Sequence, residues 1–235
     1  DGKNVVVVAR RKERMERLKA EIEKEYGTRV RVLPKDLANP KTPPEIFSEL
    51  NKEEIAIDVL INNAGFGLWG RFLDTELREE LDIIQVNTVS LVHLTKLFLK
   101  GMVENKSGYI MNVASLCAFM STPMESIYCS TKAFVLHFSE ALADELRGTG
   151  VKVTCLCPGL ARTEFRERAH MPDCRAARRK WMEADKVAEV SLKALKKGKF
   201  IVIPDSLEFR LAPWFARFAP RNMVVKMVRS QHEPL

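Results

Sequence analysis

Tyr128 and Lys132 are the residues of this 235-residue chain whose types and spacing most clearly suggest chemistry. Residues four apart lie on one face of a helix, so the phenol and the ammonium group are expected side by side. A nearby cation favours the phenolate and lowers the tyrosine pKa from its free value of about 10, which allows proton exchange near neutral pH. Ser115, at the end of a predicted strand over Tyr109–Ala114, can hydrogen-bond the oxygen that gains or loses this proton.

Other short segments occur along the chain in a fixed order around this group. Asn62-Asn63-Ala64-Gly65 ends a predicted strand, Asn87 lies inside an apolar helical segment, and Pro158-Gly159 with Thr163 follows the strand-like VTCLC. Together with Ser115 and Tyr128-Cys-Ser-Thr-Lys132, these segments resemble the active-site motifs of the short-chain dehydrogenases/reductases. A Tyr-x-x-x-Lys pair alone is common in amphipathic helices, whereas the ordered set is specific. The resemblance covers about residues 1 to 205.

The resemblance implies a role for each of four catalytic residues. Tyr128 would be the general acid for carbonyl reduction and the base in the reverse direction, while Ser115 would orient and polarise the carbonyl. Lys132 would assist the tyrosine and hydrogen-bond the nicotinamide ribose, and Asn87 would hold a water in a proton relay to the lysine. Each residue also has a structural alternative. Tyr128 could be a half-buried helix tyrosine and Ser115 a helix or turn cap. Lys132 could be a solvated surface lysine, and Asn87 a core amide whose hydrogen bonds are satisfied.

Cofactor contacts are implied at several points along the chain. Ligands bind at the carboxyl ends of strands in open α/β sheets, which suits the segment that follows Asn62. The segment Pro158–Thr163 would face the nicotinamide, and Asp36 would contact the adenine amino group unless it is only a turn residue. The implied contacts are Arg10, Arg11, Asp36, Leu37, Asn63, Ala64, Gly65, Tyr128, Lys132, Pro158, Gly159 and Thr163.

Arg10 and Arg11 bear on the choice between the two nicotinamide cofactors. They directly follow a valine-rich predicted strand, Val5 to Ala9. In this fold an acidic residue at that point binds the adenine ribose hydroxyl, whereas an arginine accommodates a 2′-phosphate. The pattern therefore favours NADP(H) over NAD(H). The alternative is that the two arginines simply begin a charged helix.

Strand-like and helix-like segments alternate along the chain. Strands are predicted over 5–9, 30–33, 57–62, 109–114, 153–157 and 200–203, and helices over 10–26, 75–102, 127–147 and 185–197, with a further helix ending near Asn51. This alternation predicts an α/β fold with a doubly wound parallel sheet, Rossmann-like, in three α/β/α layers. We divide the chain into a short-chain dehydrogenase domain over 1–205 and a basic, aromatic C-terminal extension over 206–235.

The glycine-rich turn that normally opens a dinucleotide-binding sheet does not occur in the sequence. By resemblance, Val5 to Ala9 is the family's second strand, so its first strand, glycine loop and first helix are missing. Since the first strand lies in mid-sheet, its loss is expected to split the sheet and leave two unpaired edges. We interpret the sequence as part of a longer enzyme. The alternative is a natural truncated relative that has closed the gap.

Composition excludes some functional classes. The net charge of +7 comes from 38 basic and 31 acidic residues spread along the chain, which does not indicate nucleic-acid binding and is compatible with an anionic cofactor. Five cysteines are interpreted as reduced thiols, and four histidines lack metal-ligand spacing, so no metal is expected. No apolar run is long enough to span a bilayer, and we expect a cytoplasmic protein.

The C-terminal extension differs in character from the rest of the chain. It has no acidic residue between Arg210 and Gln231, and it mixes Trp214, Phe215 and Phe218 with arginines. Such a segment can lie in a membrane interface, cover a lipid-like substrate or pack on a second subunit. The interpretation that it covers the substrate cleft or forms the oligomer contact is preferred.

These observations predict an NADP(H)-dependent oxidoreductase that transfers hydride between nicotinamide and a carbonyl or secondary-alcohol carbon. The extension and a polar segment over 164–182, placed like the family's substrate lid, suggest a lipophilic substrate such as a 3-oxoacyl chain or a steroid-like ketone. A homodimer or homotetramer is expected. One alternative is a sugar-nucleotide epimerase, which needs a larger C-terminal domain. The other is a truncated, non-catalytic scaffold that pairs through exposed sheet edges.

Overall fold

The computed structural model describes residues 2–179 and 181–234 and alternates strands with helices. The strands are β1 (Val5–Ala9), β2 (Val30–Pro34), β3 (Val59–Asn62), β4 (Gly108–Val113), β5 (Val151–Leu156), β6 (Ala161–Arg162), β7 (Met182–Glu183) and β8 (Ile201–Val202). The α-helices are α1 (Lys12–Tyr26), α2 (Thr42–Lys52), α3 (Leu77–Ile84), α4 (Leu91–Glu104), α5 (Ser126–Glu145), α6 (Phe165–Arg168), α7 (Ala184–Lys196), α8 (Leu207–Phe218) and α9 (Arg221–His232). Short 3₁₀-helices cover Leu116–Phe119 and Ala176–Arg178, and a π-helix covers Gln85–Ser90. The predicted α/β class is confirmed.

All strand pairs within the described residues are parallel. β1 pairs with β2, β3-β4-β5-β8 form a four-stranded sheet in that order, and the short β6 and β7 pair with each other. Parallel strands that are covered by helices on both faces have continuous apolar sequences. This explains the four valines of β1 and the fully buried Ile110 of β4. The predicted Rossmann-like parallel sheet is thus present, with its carboxyl ends on one side.

The sheet is divided between β1 and β3, as the sequence predicts. In the part of the chain that the structure describes, β1 pairs only with β2 and β3 only with β4, so each presents one unpaired edge. A cavity of about 3060 Å³ is lined by residues of both edges, among them Val6 and Ile61, and it continues to Tyr128. This volume is larger than the few hundred to about 1,000 Å³ of an ordinary ligand pocket, because it includes the gap between the sheets.

Helix α2 connects the two parts of the divided sheet through a shared core. Its residues Ile46 and Leu50 pack with Leu33 of β2 and Leu94 of α4. Valines of β1 and Leu60 of β3 pack against the same cluster. Burial of apolar surface, worth about 25 cal/mol per Å², therefore holds the two parts of the sheet together without a hydrogen bond between β1 and β3.

Helix α1 packs on β2 and follows β1 after a short turn. Met15 is buried against Val30 and Val32 of β2, and the helix ends at Gly27, whose left-handed φ of 64° lets its N–H reach the Glu23 carbonyl. The turn between β1 and α1 thereby places its two arginines at the carboxyl end of β1.

Two segments differ from the sequence expectation. The helix expected over 75–102 is interrupted by the π-helix Gln85–Ser90 between α3 and α4. The segment 164–182, expected as a lid or loop, contains α6, a 3₁₀ turn and the start of β7, with Lys180 outside the described residues. The C-terminal extension forms α8 and α9. Among residues 2–179 and 181–234, no helix has the length and apolar character needed to cross a bilayer.

Candidate active site

Strand β4 and helix α5 bring the three central residues of the sequence analysis to one cavity. Ser115 follows β4 and caps the 3₁₀-helix, where its Oγ accepts a 3.3 Å hydrogen bond from the Cys117 N–H. In the first turns of α5, the Lys132 Nζ lies 5.7 Å from the centre of the Tyr128 ring. The same Nζ donates to the Val113 carbonyl at 2.8 Å, which anchors the ammonium group against the end of β4. All three side chains line the cavity.

The protonation of this group differs from the sequence expectation. Burial raises the pKa of Tyr128 well above its usual value, nearby thiols and Glu125 add to the rise, and a hydrogen bond with Ser115 acts in the opposite direction. Burial also lowers the pKa of Lys132 to about 8. The expectation that the ammonium group lowers the pKa of Tyr128 is therefore wrong for this structure, because desolvation dominates. The phenol is held in its protonated form, the form that a general acid needs.

Asn87 lies in the π-helix and makes three hydrogen bonds to the protein. Its Oδ1 accepts from the Phe66 N–H at 3.1 Å, and its Nδ2 donates to the Phe66 carbonyl and to the Thr131 Oγ1, both at 3.0 Å. Asn87 is therefore a buried amide with its hydrogen bonds made within the protein, which is the alternative that the sequence analysis left open. It ties the loop after β3 to α5, directly before Lys132. A π-turn is frequent at functional sites, and no pattern in the sequence predicts this one.

Two glycines of the loop after β3 let the backbone approach these side chains closely. A Cβ added to Gly65 would lie 3.0 Å from the Asn87 Oδ1 and 3.1 Å from the Lys132 Nζ. A Cβ added to Gly67 would lie 2.9 Å from the Phe165 ring and 3.1 Å from the Tyr128 Cγ. The small residues of this segment therefore set the space around the lysine and the phenol.

At the other end of the cavity, Arg10 and Arg11 follow β1 and line its wall. The Arg11 Nη2 lies 2.8 Å from the Glu164 Oε2, and Arg14 pairs with the second oxygen of the same carboxylate. These bonds, the one from Arg11 first, lower the pKa of Glu164. Sequence reasoning missed Glu164, since the partner is 153 positions from Arg11 and only the fold brings them together.

Asp36 and Leu37 also line the cavity beyond β2. The Asp36 Oδ1 accepts from the Ala38 N–H at 3.0 Å, so the side chain forms the local turn that the alternative interpretation expected. The Leu37 carbonyl accepts from the Ser90 Oγ at 2.7 Å. Both residues are positioned for a ligand on the same side as the arginines, and their adenine contacts stay a prediction.

The remaining predicted cofactor residues lie around the middle of the cavity. Asn63 and Ala64 line it just after β3. Beyond β5, the Pro158 carbonyl accepts from the Leu116 N–H at 2.8 Å, which fixes this turn beside Ser115. Its neighbour Gly159 lies against Asp205 and Phe209, and the Thr163 Oγ1 accepts from the Phe165 N–H at 3.2 Å. The structure therefore brings all the predicted site residues to one cavity, except that Asn87 lies behind its wall.

Glu125 and His232 form a buried pair that the sequence did not reveal. The Glu125 Oε2 lies 3.6 Å from the His232 Nε2, while its Oε1 has no hydrogen-bond partner among the described residues. Burial raises the pKa of Glu125 to about 7 and lowers the pKa of His232. The His232 carbonyl accepts from the Trp69 Nε1 at 3.3 Å, so the end of α9 closes the cavity above the N-terminus of α5.

Thiols and possible metal ligands show no further site in residues 2–179 and 181–234. All five cysteines are free, four of them buried, and the Sγ atoms of Cys155 and Cys157 lie 3.8 Å apart. No group of three His, Cys, Asp or Glu side chains in these ranges is arranged to hold a metal ion.

Comparison with known proteins supplies independent findings. The model of the short chain dehydrogenase family matches residues 1–172. An NADP-dependent 3-hydroxy acid dehydrogenase of Schizosaccharomyces pombe is 31% identical over 211 residues, which are 87% of this chain and 82% of that protein.

Two solved structures extend the comparison to three dimensions. A short-chain dehydrogenase from Sphingobium yanoikuyae, in complex with NADPH, has 31% identity and a TM-score of 0.80 over 87% of this chain and 79% of its own. A bulky-bulky ketone specific alcohol dehydrogenase from Comamonas testosteroni has 27% identity and a TM-score of 0.77 over 91% of this chain and 82% of its own.

Proposed function

The chain belongs to the short-chain dehydrogenase family, and on this premise we propose that it is an NADP(H)-dependent oxidoreductase acting on a carbonyl or secondary alcohol. The observation that carries the proposal is the meeting of Ser115, Tyr128 and Lys132 in one cavity, with the lysine anchored on the Val113 carbonyl. Their chain order and local spacing match the family's active site.

The cavity suits NADP(H) at its two ends. At one end, Arg10 and Arg11 offer positive charge for a 2′-phosphate. At the other end, Gly65 has no side chain, which leaves space beside the Lys132 Nζ that a Cβ would fill. The NADP-dependent and NADPH-bound relatives support the same choice of cofactor.

The chemistry of the chain's own residues follows from their hydrogen bonds. Bound NADPH supplies the hydride. The Tyr128 hydroxyl, kept protonated by burial, donates its proton to the substrate carbonyl oxygen. The Ser115 Oγ accepts from the Cys117 N–H, and its own hydroxyl proton turns from Tyr128 to the same substrate oxygen. In alcohol oxidation the same two groups act in reverse.

Lys132 and Asn87 support this proton transfer. An ammonium group has three donors, and Val113 accepts one of them, which leaves two for a ribose hydroxyl and for a relay that returns a proton to the tyrosine. The Asn87 Oδ1 accepts one bond from Phe66 and keeps a second lone pair for a relay water. We assign two roles to Asn87. Its main role is to position the loop after β3, and its additional role is to hold a water of the relay.

We propose a lipophilic substrate, such as a 3-oxoacyl chain or a steroid-like ketone. The support is the apolar wall that α8 and α9 give the cavity, with Phe209, Phe215 and Val228 among its lining residues. The relative from Comamonas testosteroni is named for bulky ketones, and the relative from Schizosaccharomyces pombe for 3-hydroxy acids.

We also propose that the protein is a homodimer or homotetramer. Leu81 of α3, Val89 of the π-helix and Phe134 of α5 are exposed apolar side chains on neighbouring elements, and a second copy would bury them together. The division of the chain after residue 205 and the cytoplasmic location stay predictions from the sequence.

The decisive experiment compares Tyr128→Phe with Tyr26→Phe. Consumption of NADPH is followed with bulky ketones and 3-oxoacyl esters, and folding is checked by circular dichroism. We expect Tyr128→Phe to fold normally and lose turnover by a factor of at least about 100, since it removes the general acid. Tyr26 is exposed on α1, so its variant is expected to match the wild type. Near-normal turnover by Tyr128→Phe would refute the proposed roles.

The unpaired edges of β1 and β3 favour a second candidate, a non-catalytic binding protein that pairs through these edges. Thermal unfolding with and without NADPH separates the two. A ligand that binds only the folded state raises its stability by RT ln(1 + [L]/Kd). A higher unfolding temperature with NADPH supports the enzyme, whereas no shift together with self-association supports the binding protein.

A further inference from the structure

Helix α8 carries an apolar stripe that nothing in the described residues covers. The stripe consists of Leu207, Leu211, Trp214, Phe215 and Phe218. Intervals of three and four residues place these side chains on one face of the helix. Trp214 and Phe218 are 64% and 74% exposed, and their rings stack with centroids 6.2 Å apart. An exposed aromatic patch of this size marks an interaction surface.

The opposite side of α8 contacts the rest of the protein, and these contacts set the orientation of the helix about its axis. Phe209 and Ala212 line the active-site cavity, and the Arg179 guanidinium lies over the Phe209 ring at 5.4 Å. The helix also contacts the 3₁₀-helix that follows Ser115. Since these contacts occupy its inner side, a rotation of α8 that buried the stripe against the described residues would break them.

The charge around the stripe identifies the chemistry of its partner. Arg210 and Arg217 lie four residues before and three residues after Trp214, so they border the same face. From Arg210 to Gln231 the chain has five basic residues and no acidic one. If two copies joined through this surface about a two-fold axis, like charges would meet, which is unfavourable. An anionic lipid surface matches both the charges and the aromatic side chains, because tryptophan favours the bilayer interface.

We propose that α8 binds the surface of an anionic membrane, with its stripe in the acyl boundary and Arg210 and Arg217 at the headgroups. Leu211 and Phe215 belong to the stripe and also line the cavity, so the mouth of the cavity lies at the lipid surface. A lipophilic substrate then reaches Tyr128 from the bilayer, a consequence that rests on the proposed function. The membrane contact itself does not depend on catalysis.

The test measures co-sedimentation of the full chain with vesicles, without substrate or cofactor. The vesicles are phosphatidylcholine alone or phosphatidylcholine mixed with phosphatidylglycerol. We expect binding to the anionic vesicles that weakens as salt rises. The double variant Trp214→Ala/Phe218→Ala is expected to bind at least about tenfold less, since it removes the apolar anchor. Neither residue lines the cavity, so turnover of a water-soluble ketone is expected to stay unchanged.

Two matched controls make the result specific. Phe72 and Leu73 are 61% and 92% exposed on a different segment, so Phe72→Ala/Leu73→Ala is expected to bind vesicles like the wild type. Arg210→Glu/Arg217→Glu is expected to lose the preference for anionic lipid, whereas Lys96→Glu/Lys100→Glu on α4 is expected to keep it.

Three outcomes would overturn the proposal. In the first, the wild type sediments with neither vesicle. In the second, both double variants at exposed apolar positions lose binding equally, and in the third the stripe variant dissociates an oligomer without affecting lipid binding. The last outcome would make the stripe a subunit contact. Because the sedimentation assay contains neither substrate nor cofactor, its failure leaves the oxidoreductase assignment standing. A failure of that assignment leaves the membrane contact standing.

Discussion

The two ends of the cavity hold their charges in different ways. At the lysine end, around Tyr128 and Lys132, the cation is 4% exposed and anchored on a backbone carbonyl. At the arginine end, around Arg11 and Glu164, the ion pair is between side chains that are 66% and 50% exposed. Charges interact strongly where water is excluded and weakly where it is not. We therefore expect substitutions at the lysine end to change rates or stability greatly, and those at the arginine end to change cofactor affinity modestly.

The largest effect is expected from Lys132→Met, which removes the buried cation. Turnover of a ketone with NADPH is expected to fall by at least about 100-fold, because the proton relay and the ribose contact are lost together. The pKa of Lys132 is lowered to about 8, so we also expect kcat/KM of the wild-type reduction to fall as pH rises through about 8. Steady-state kinetics over a pH series measure both.

Lys152→Met is the matched control for this change. Its Nζ lies 5.8 Å from the Tyr109 ring, a contact like that of Lys132 with Tyr128, but Lys152 is exposed and does not line the cavity. Unchanged turnover is expected. Equal losses in both variants would mean that the effect comes from general destabilisation, and the contrast between the ends would fail.

The lysine end is also where sequence reasoning succeeded. The Tyr128 and Lys132 spacing is local, and helical geometry alone brings the two side chains together. Ser115 at the end of β4 follows from the strand pattern along the chain, whereas the split sheet is expected only from the resemblance of Val5 to Ala9 to the family's second strand. The sign of the tyrosine pKa shift did not, because it depends on desolvation by residues distant in sequence. The Glu164 pairing and the Glu125–His232 pair required the fold for the same reason.

The second largest effect is expected from Glu125→Gln, measured as stability. Burial raises the pKa of Glu125 from 4.5 to about 7. The folded state therefore holds a proton that the unfolded state releases, so its stability falls as pH rises from about 4.5 to 7 and stays lower above that. At about 1.4 kcal/mol per pH unit, the penalty over this range is about 3.5 kcal/mol.

The glutamine variant is expected to lack this penalty. Its free energy of unfolding should exceed that of the wild type by up to about 3.5 kcal/mol at pH 8 and match it near pH 4, as urea titrations would show. Burial lowers the pKa of His232, so at pH 8 the imidazole is neutral and gives the carboxylate no counter-charge. Glu104→Gln, at an exposed position on α4, is the matched control at both pH values. A gain at pH 4 equal to that at pH 8 would contradict the titration of Glu125.

A smaller effect is expected from Gly67→Ala. The new Cβ would lie 3.1 Å from the Tyr128 Cγ and 2.9 Å from the Phe165 ring, so the tyrosine must shift. Small displacements of a reacting group are costly, and we expect kcat to fall roughly tenfold with a smaller change in KM. In Gly101→Ala, no atom lies within 4 Å of the new Cβ, and α4 gains helix propensity. This control should keep full activity and unfold at a slightly higher temperature.

The smallest effect is expected at the arginine end, from Glu164→Gln. The Glu164 carboxylate occupies the Arg11 and Arg14 guanidinium groups, and a 2′-phosphate bound to Arg11 must compete with it. Exposed ion pairs contribute about 0–1 kcal/mol, so removing the carboxylate is expected to tighten NADPH binding by no more than about fivefold. Fluorescence titration of both nucleotides measures this. NADH lacks the 2′-phosphate, and its affinity should stay constant. A similar gain for NADH would instead mean that Glu164 acts by holding α6 over the cavity, and the arginine end would then matter for access rather than for charge.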